Sequence, residues 1–309
     1  MGVSMNPMPA WMRLARASYL PVVAVAIVVG AGYALWDAYA FRWTPFLLTL
    51  AGGAAVYLGG MVAVSILEVV LRHEPADADR DPSRLEGPDV IASSLVGLAQ
   101  ASGIAALMLI IALVCGVALV PHSGSFAIGI GFAGLLLAIF YGVPDIGLRD
   151  LGHGVSEIAA FVALGPLPVL GGYASQSGSF TLGAALASLP LGFFGAAIVY
   201  DYNLARFLRD DTATGTSLAM DLGEEKARLG CSILPVLAFA AILLNVALGE
   251  YPGSVAWSLA TAPYLVWKLT RFDGKDPDAC EDLSRSTAAV SVFTALLVTL
   301  GFFLAGARG

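Results

Sequence analysis

Apolar residues fall in long unbroken runs along this chain, rather than in the alternating or 3.6-residue stripes of a water-soluble domain. The runs cover 19–41, 44–71, 90–120, 125–141, 155–174, 180–208, 229–249, 253–270 and 287–305. A helix needs about 20 apolar residues to cross a bilayer core, whereas a barrel strand needs only about 10 of alternating character. The pattern therefore predicts an all-α membrane protein of nine transmembrane helices. Proline and glycine interrupt the fifth run at Gly165-Pro166-Leu167-Pro168 and the sixth at Pro190. Neighbouring helices in a bundle can satisfy the carbonyls such residues free.

Polar residues are as unevenly spread as apolar ones. With the N-terminus cytoplasmic, the loops 72–89, 142–154, 209–228 and 271–286, the N-terminus and the adjoining helix ends hold all but Arg42 and Arg308 of the 16 Lys and Arg. The opposite loops, around 121–124, 175–179 and 250–252, hold none. The positive-inside rule reads this as N-terminus in and C-terminus out. All but Asp37 and Glu250 of the 23 acids follow the same split. A transporter with a midplane site would more often carry mid-helix charges and matched broken helices. The expectation is a multi-pass protein of the inner (cytoplasmic) membrane, one domain over 1–309, whose loops 72–89 and 209–228 form a cytoplasmic mouth.

Composition agrees. The chain is 58% hydrophobic and only 13% charged, with mean hydropathy +0.81; a soluble domain is nearer 25% charged. Its 35 glycines suit close helix packing in lipid. A net charge of -7 argues against nucleic acid as a partner. Cys115, Cys231 and Cys280 share no metal or redox spacing, and no disulfide is expected. The first run is too long for a cleavable signal peptide. Trp11, Trp36, Trp43, Trp257 and Trp267 read as interfacial anchors, and His73, His122 and His153 as interfacial residues.

Candidate chemistry gathers at two helix ends. Tyr200–Met220 puts Asp201, Asn203, Arg206, Arg209, Asp210 and Asp211 at the mouth of the sixth helix. A second polar mouth runs from Glu68 through Arg72 to Asp77, Asp79 and Asp81. Ionisable groups at a membrane boundary are costly and are read first as a site. Tyr141 and Tyr202 either anchor at the interface or offer ring faces to a cation.

Several segments together resemble the UbiA superfamily of intramembrane prenyltransferases. They are Tyr141-Gly-Val-Pro144, Gly152-His-Gly-Val-Ser-Glu157 and Gly165-Pro-Leu-Pro-Val-Leu-Gly-Gly-Tyr173. The similarity is greatest to the branch that prenylates dihydroxynaphthoate in menaquinone synthesis. Leu189-Pro-Leu-Gly192, Asp211 with Gly215, Ser217-Leu-Ala219, Leu222-Gly223 and Lys226-Ala-Arg228 fit that branch, and Ala17-Ser-Tyr-Leu-Pro21 resembles the family's opening segment. The likeness spans roughly 17–230. It implies a nine-helix bundle in which aspartate-rich motifs on helices two and six hold Mg²⁺ against the diphosphate of a polyprenyl donor. Hard oxygen ligands suit that ion. An aromatic acceptor would then attack the allylic cation.

The motifs are altered. The second helix reads Ser65-Ile-Leu-Glu68-Val-Val-Leu-Arg72-His73-Glu74. Glu68 can stand as a metal ligand; Val69 has no donor atom and Arg72 is a permanent cation. On the sixth helix Asn203, Arg206 and Asp211 match, but Phe207 stands where the branch has its central aspartate. A register starting at Asp201-Tyr202 puts Ala205 and Arg209 at the next acids. Each motif has thus lost a metal ligand, so the family's two-Mg²⁺ clamp is not expected intact. The resemblance assigns Glu68 and Asp211 to whatever Mg²⁺ remains, and Arg72, Arg206, Arg209 and Asn203 to the diphosphate. Glu157 and Asp211 are the candidate catalytic residues, with Glu157 orienting or deprotonating the acceptor. Two functions follow. One is prenyl transfer from a polyprenyl diphosphate to a quinone-precursor-like acceptor. The other is a catalytically silent homologue that binds an isoprenoid, quinone or pigment, or serves a membrane protein complex.

Overall fold

The computed structural model describes residues 8–72, 85–143, 147–148, 151–209 and 218–306. Among them, twelve α-helices follow in order. A short α1 (Ala10–Leu14) precedes α2 (Leu20–Trp36) and α3 (Trp43–Arg72). The short α4 (Pro88–Ala92) leads into α5 (Leu98–Ser123) and α6 (Phe126–Gly142). Then come α7 (Val155–Leu164), α8 (Pro166–Ser177), α9 (Leu182–Arg209) and α10 (Leu218–Ala247). A 3₁₀ segment (Gly253–Thr261), α11 (Ala262–Thr270) and α12 (Pro277–Ala305) complete the chain.

Seven helical stretches are long and apolar enough to cross a bilayer. They correspond to α2, α3, α5, α7 with α8, α9, α10 and α12. Of the nine expected runs, the fourth forms the shorter apolar helix Ile128–Gly142, and the eighth divides into the 3₁₀ segment and α11. The third run also differs from expectation. Its first residues form α4, and the chain turns at Ser94, whose φ is 60°, before Gly97 caps α5. The fifth run breaks where Gly165-Pro166 predicts: Gly165 caps both α7 and α8, and its N–H bonds the Phe161 carbonyl oxygen at 3.1 Å. Pro190 and Pro235, by contrast, lie inside continuous helices.

The bundle has a packed half and an open half. In the packed half, α9 meets α10 and α12, and α2 meets α8 and α12. Tyr33, Tyr173, Phe194, Tyr200 and Phe302 fill this core, each fully buried. Trp36 packs against the same core and so is not the outward anchor the sequence suggests; Trp43 and Trp257, 68% and 75% exposed, do face outward. In the open half, α3, α5, α6, α7 and α8 surround a cavity that α2 and α9 close on the core side.

At the end of the bundle where α3 begins, three of the four charges set apart by the sequence are bonded; the fourth, Arg308, lies outside the described residues. Arg42 donates to the carbonyl oxygens of Ser175 (2.9 Å) and Gln176 (2.6 Å) at the end of α8, and to His122 (3.3 Å) at the end of α5. A cation suits those exposed helix carbonyls. Asp37 accepts from Tyr173 at 2.7 Å, and Glu250 from Tyr33 at 2.6 Å.

The packed half depends on backbones in contact. A Cβ on Gly30 would collide with the Val169 carbonyl oxygen, and one on Gly172 with that of Ile27. Gly30→Leu or Gly172→Leu should lower the thermal midpoint in detergent by an amount equivalent to about 1–3 kcal/mol or more. Gly103→Leu, where a Cβ meets nothing within 4 Å, should shift it by less than about 0.5 kcal/mol. Light-scattering or tryptophan-fluorescence melts compare the three.

Candidate active site

The cavity has a volume of about 400 Å³ and is apolar along almost its whole length. Helical periodicity explains its shape. On α3, Thr49, Gly52, Gly53, Val56, Tyr57, Met61 and Val64 line it, a stripe repeating every three or four residues. The next position on that stripe is Glu68. On α9 the lining residues Ile198, Val199 and Tyr202 lead one turn on to Asn203 and Arg206. On α7, Ala159, Ala160 and Ala163 lead one turn back to Ser156 and Glu157. Three helices thus change from apolar to polar at the same end of one slot.

The polar groups there are buried and specifically paired. Asn203 Nδ2 donates to Glu157 Oε1 at 3.1 Å and to Ser156 Oγ at 3.2 Å, while Ser156 Oγ donates to Glu157 Oε2 at 2.7 Å. Glu157 is 4% exposed and Asn203 6%. Both Glu157 oxygens are therefore held by α7 and α9 side chains.

Among the described residues, the cation that lines the slot is Arg16, which from the sequence bore only on topology. Its backbone is left-handed (φ 47°), where the chain turns from α1 into the segment leading to α2. That turn points the guanidinium into the slot. Its Nη2 donates to Tyr202 Oη at 3.3 Å, and the group lies 5.0 Å from the Tyr202 ring centre. Burial works against the cation, but Tyr202, Glu68, Glu86 and Tyr141 outweigh it and hold its pKa above the ordinary value. Tyr19, Tyr57, Tyr141 and Tyr202 line the slot beside it, and Tyr57 Oη donates to the Arg16 carbonyl oxygen at 3.1 Å. The clue in the sequence was an arginine immediately before the first apolar run; nothing in the pattern told which way it points.

Among the predicted residues, Glu157, Asn203, Glu68 and the half-buried Arg206 lie at this end. Arg72 and Arg209 close α3 and α9, but their side chains fall outside the described set. Asp211, Asp210, His73 and Asp77, Asp79 and Asp81 lie outside the described residues. Asp201 is a correction. It is fully buried on the other side of α9, where Thr287 Oγ1 of α12 donates to its Oδ2 at 3.1 Å. Two residues turn a helix by about 200°, so Asp201 and Asn203 cannot share a face. His153 joins the start of α10: its backbone N–H meets Asp221 Oδ2 at 2.7 Å.

The donor set bears on metal binding. Among the described residues, no three His, Cys, Asp or Glu side chains come together in a way that could hold a metal ion. Glu68 has the Arg16 cation beside it, and the Glu157 oxygens already accept two hydrogen bonds. Of the candidate metal ligands only Glu68 is described, Asp211 lying outside the described residues, and Arg16 is the described slot-lining group suited to an anion.

Residues 23–297 match the UbiA prenyltransferase family, beyond the 17–230 stretch that carries the sequence motifs. The 1,4-dihydroxy-2-naphthoate octaprenyltransferase of Escherichia coli (strain K12) is 26% identical over 312 residues, covering 96% of this chain and 95% of that protein. The enzyme of the same name from Mycobacterium tuberculosis is 28% identical and covers 82% of each chain. A UbiA homologue from Archaeoglobus fulgidus, solved bound to GPP and Mg²⁺, superposes with a TM-score of 0.68 at 15% identity, over 96% of this chain and 99% of that one.

The Asn203–Glu157 pair can be tested as structure. Asn203→Leu leaves a buried carboxylate oxygen without its donor and should cost about 1–3 kcal/mol of stability. Pairing it with Glu157→Leu should recover part of that loss. A double-mutant cycle of detergent melts reads the coupling.

Proposed function

The chain belongs to the UbiA prenyltransferase family, with sequence relatives in its dihydroxynaphthoate branch, and from that premise we propose that it transfers a polyprenyl group from its diphosphate to an aromatic, quinone-precursor-like acceptor. The observation that carries this reading is an apolar slot ending in a buried cation ringed by tyrosines. An isoprenoid diphosphate has the matching form, a long hydrocarbon joined to a multiply charged head. The distribution of basic loops supports a cytoplasmic opening.

In this reading Arg16 and Arg206 receive the diphosphate, with Arg72 and Arg209 at the ends of α3 and α9 adding positive charge. Guanidinium forks match phosphate oxygens. The C1–O bond of the donor breaks with its electron pair leaving on the diphosphate, and the allylic cation forms beside Tyr202, Tyr141 and Tyr57. Aromatic faces stabilise such a cation by about 0.5–2 kcal/mol each. A ring carbon of the acceptor supplies the new bonding pair, and its proton passes to a base. Glu157, held by Ser156 and Asn203, is the base or orienting group in reach of the α7 wall. The Archaeoglobus homologue is described as bound to Mg²⁺. Here Val69 and Phe207 occupy positions of the family's acids, so Glu68 and Asp211 are what this chain retains for that ion, which when bound neutralises diphosphate charge.

The same substitutions favour a second reading: a catalytically silent homologue that keeps the slot for an isoprenoid, quinone or pigment, alone or within a membrane complex. Purified protein given prenyl diphosphates and 1,4-dihydroxy-2-naphthoate, with and without Mg²⁺, separates the two. Prenylated product lost in Asp211→Ala supports transfer. Arg16→Gln should lower kcat/KM about 10- to 100-fold, as expected for losing a charged hydrogen bond of about 1.5–3 kcal/mol. No turnover with any donor, alongside a co-purified lipid, supports the silent homologue.

A further inference from the structure

Glycines line the slot in two different ways. On α3, a Cβ at Gly53 would come within 2.6 Å of Ile27 Cδ1, and one at Gly52 within 3.1 Å of Cys115 Cβ. Those glycines let helices approach each other. Gly134 on α6 and Gly171 on α8 differ. A Cβ on Gly134 would lie 3.5 Å from Val56 Cγ1 and 4.0 Å from Leu167 Cδ1. One on Gly171 would lie 3.6 Å from Ile130 Cγ2 and 4.0 Å from Thr49 Cγ2. All four neighbours line the cavity themselves, and all four distances are ordinary van der Waals contact. A side chain at either glycine would grow into the slot rather than into a helix interface.

The two positions stand at different depths. Gly134 is two helical turns along α6 from Tyr141 at the mouth, about 10 Å. Gly171 sits beside Thr49, four turns along α3 from Val64, roughly 22 Å. Thr49 turns its hydroxyl back onto the Pro45 carbonyl oxygen at 2.7 Å, so its methyl faces Gly171 and this end stays apolar.

We infer that Gly134 and Gly171 set the length of isoprenoid chain the slot accepts, Gly134 by keeping the middle open and Gly171 by keeping the far end open. The inference rests on the slot being the prenyl-chain site. A side chain added at either position takes volume from a slot of about 400 Å³, and close packing leaves a methyl-branched chain little room to pass it.

The test is binding, measured apart from turnover. Radiolabelled geranyl, farnesyl, geranylgeranyl and octaprenyl diphosphates are titrated against the wild type, Gly134→Phe and Gly171→Phe, with Gly134→Leu and Gly171→Leu as milder variants. Retained geranyl binding shows that a variant is folded. Gly171→Phe should weaken the longest donors at least about tenfold, and Gly134→Phe should move the cut-off to shorter chains, with geranyl diphosphate within about twofold of wild type in both. Loss that is equal at every length, or no loss at any, in both the Phe and Leu series overturns the inference. Wild-type turnover with unaltered length profiles in the variants sinks the inference and spares the transferase reading. Length-dependent binding without turnover does the reverse, and a wild type that binds no diphosphate sinks both.

Discussion

An ionic group inside hydrocarbon is tolerated only where something in the protein answers its charge. That constraint orders this molecule. Arg42 sits on the carbonyl ends of α5 and α8, Asp37 and Glu250 each accept a tyrosine hydroxyl, and Asp201 meets Thr287. None of these faces the slot. Among the described residues Arg16, Glu68, Glu157 and Arg206 lie instead at its polar end, where the residues ahead of α2, the last turns of α3 and α9 and the start of α7 come together. The bilayer thus separates charges that fasten helices from charges gathered at the mouth of the slot.

The division of the bundle into a packed and an open half has a similar origin. In lipid there is little hydrophobic gain from joining helices, so close approach must supply the attraction. Gly30 and Gly172 bring the α2 and α8 backbones together, and Gly165 meets the Gly192 backbone. These contacts build a rigid wall on one side of the slot. Around the rest of it, Gly134 and Gly171 are not at such contacts, and space remains.

Much of this was legible in the sequence. Apolar run length located the helices, because bilayer thickness sets it, and Gly165-Pro166 announced the break between α7 and α8 because proline lacks the N–H a continuing helix needs. Glu157 and Asn203 came from segments whose likeness to a family pointed at them; Ser156 did not stand out. What the sequence could not disclose was direction. Asp201 and Asn203, two residues apart, must face opposite sides of α9, but which of them meets the slot depends on which helices pack where. Arg16 was hidden for the same reason: only the left-handed turn at that residue aims its side chain inward.

Direction also decides the charge at the mouth of the slot. A carboxylate site for Mg²⁺ gathers negative charge and relies on the metal to reverse it before an anion can enter. Arg16 reverses the sign without an intermediary, and its guanidinium stays charged at any pH a cell reaches. Glu68 beside it then serves to hold the cation in a medium that resists burying it, since a lone buried charge costs several kcal/mol. The Tyr202 ring and hydroxyl beside the guanidinium add to that support. Among the described residues, then, the end of the slot carries a positive charge supplied by the chain itself.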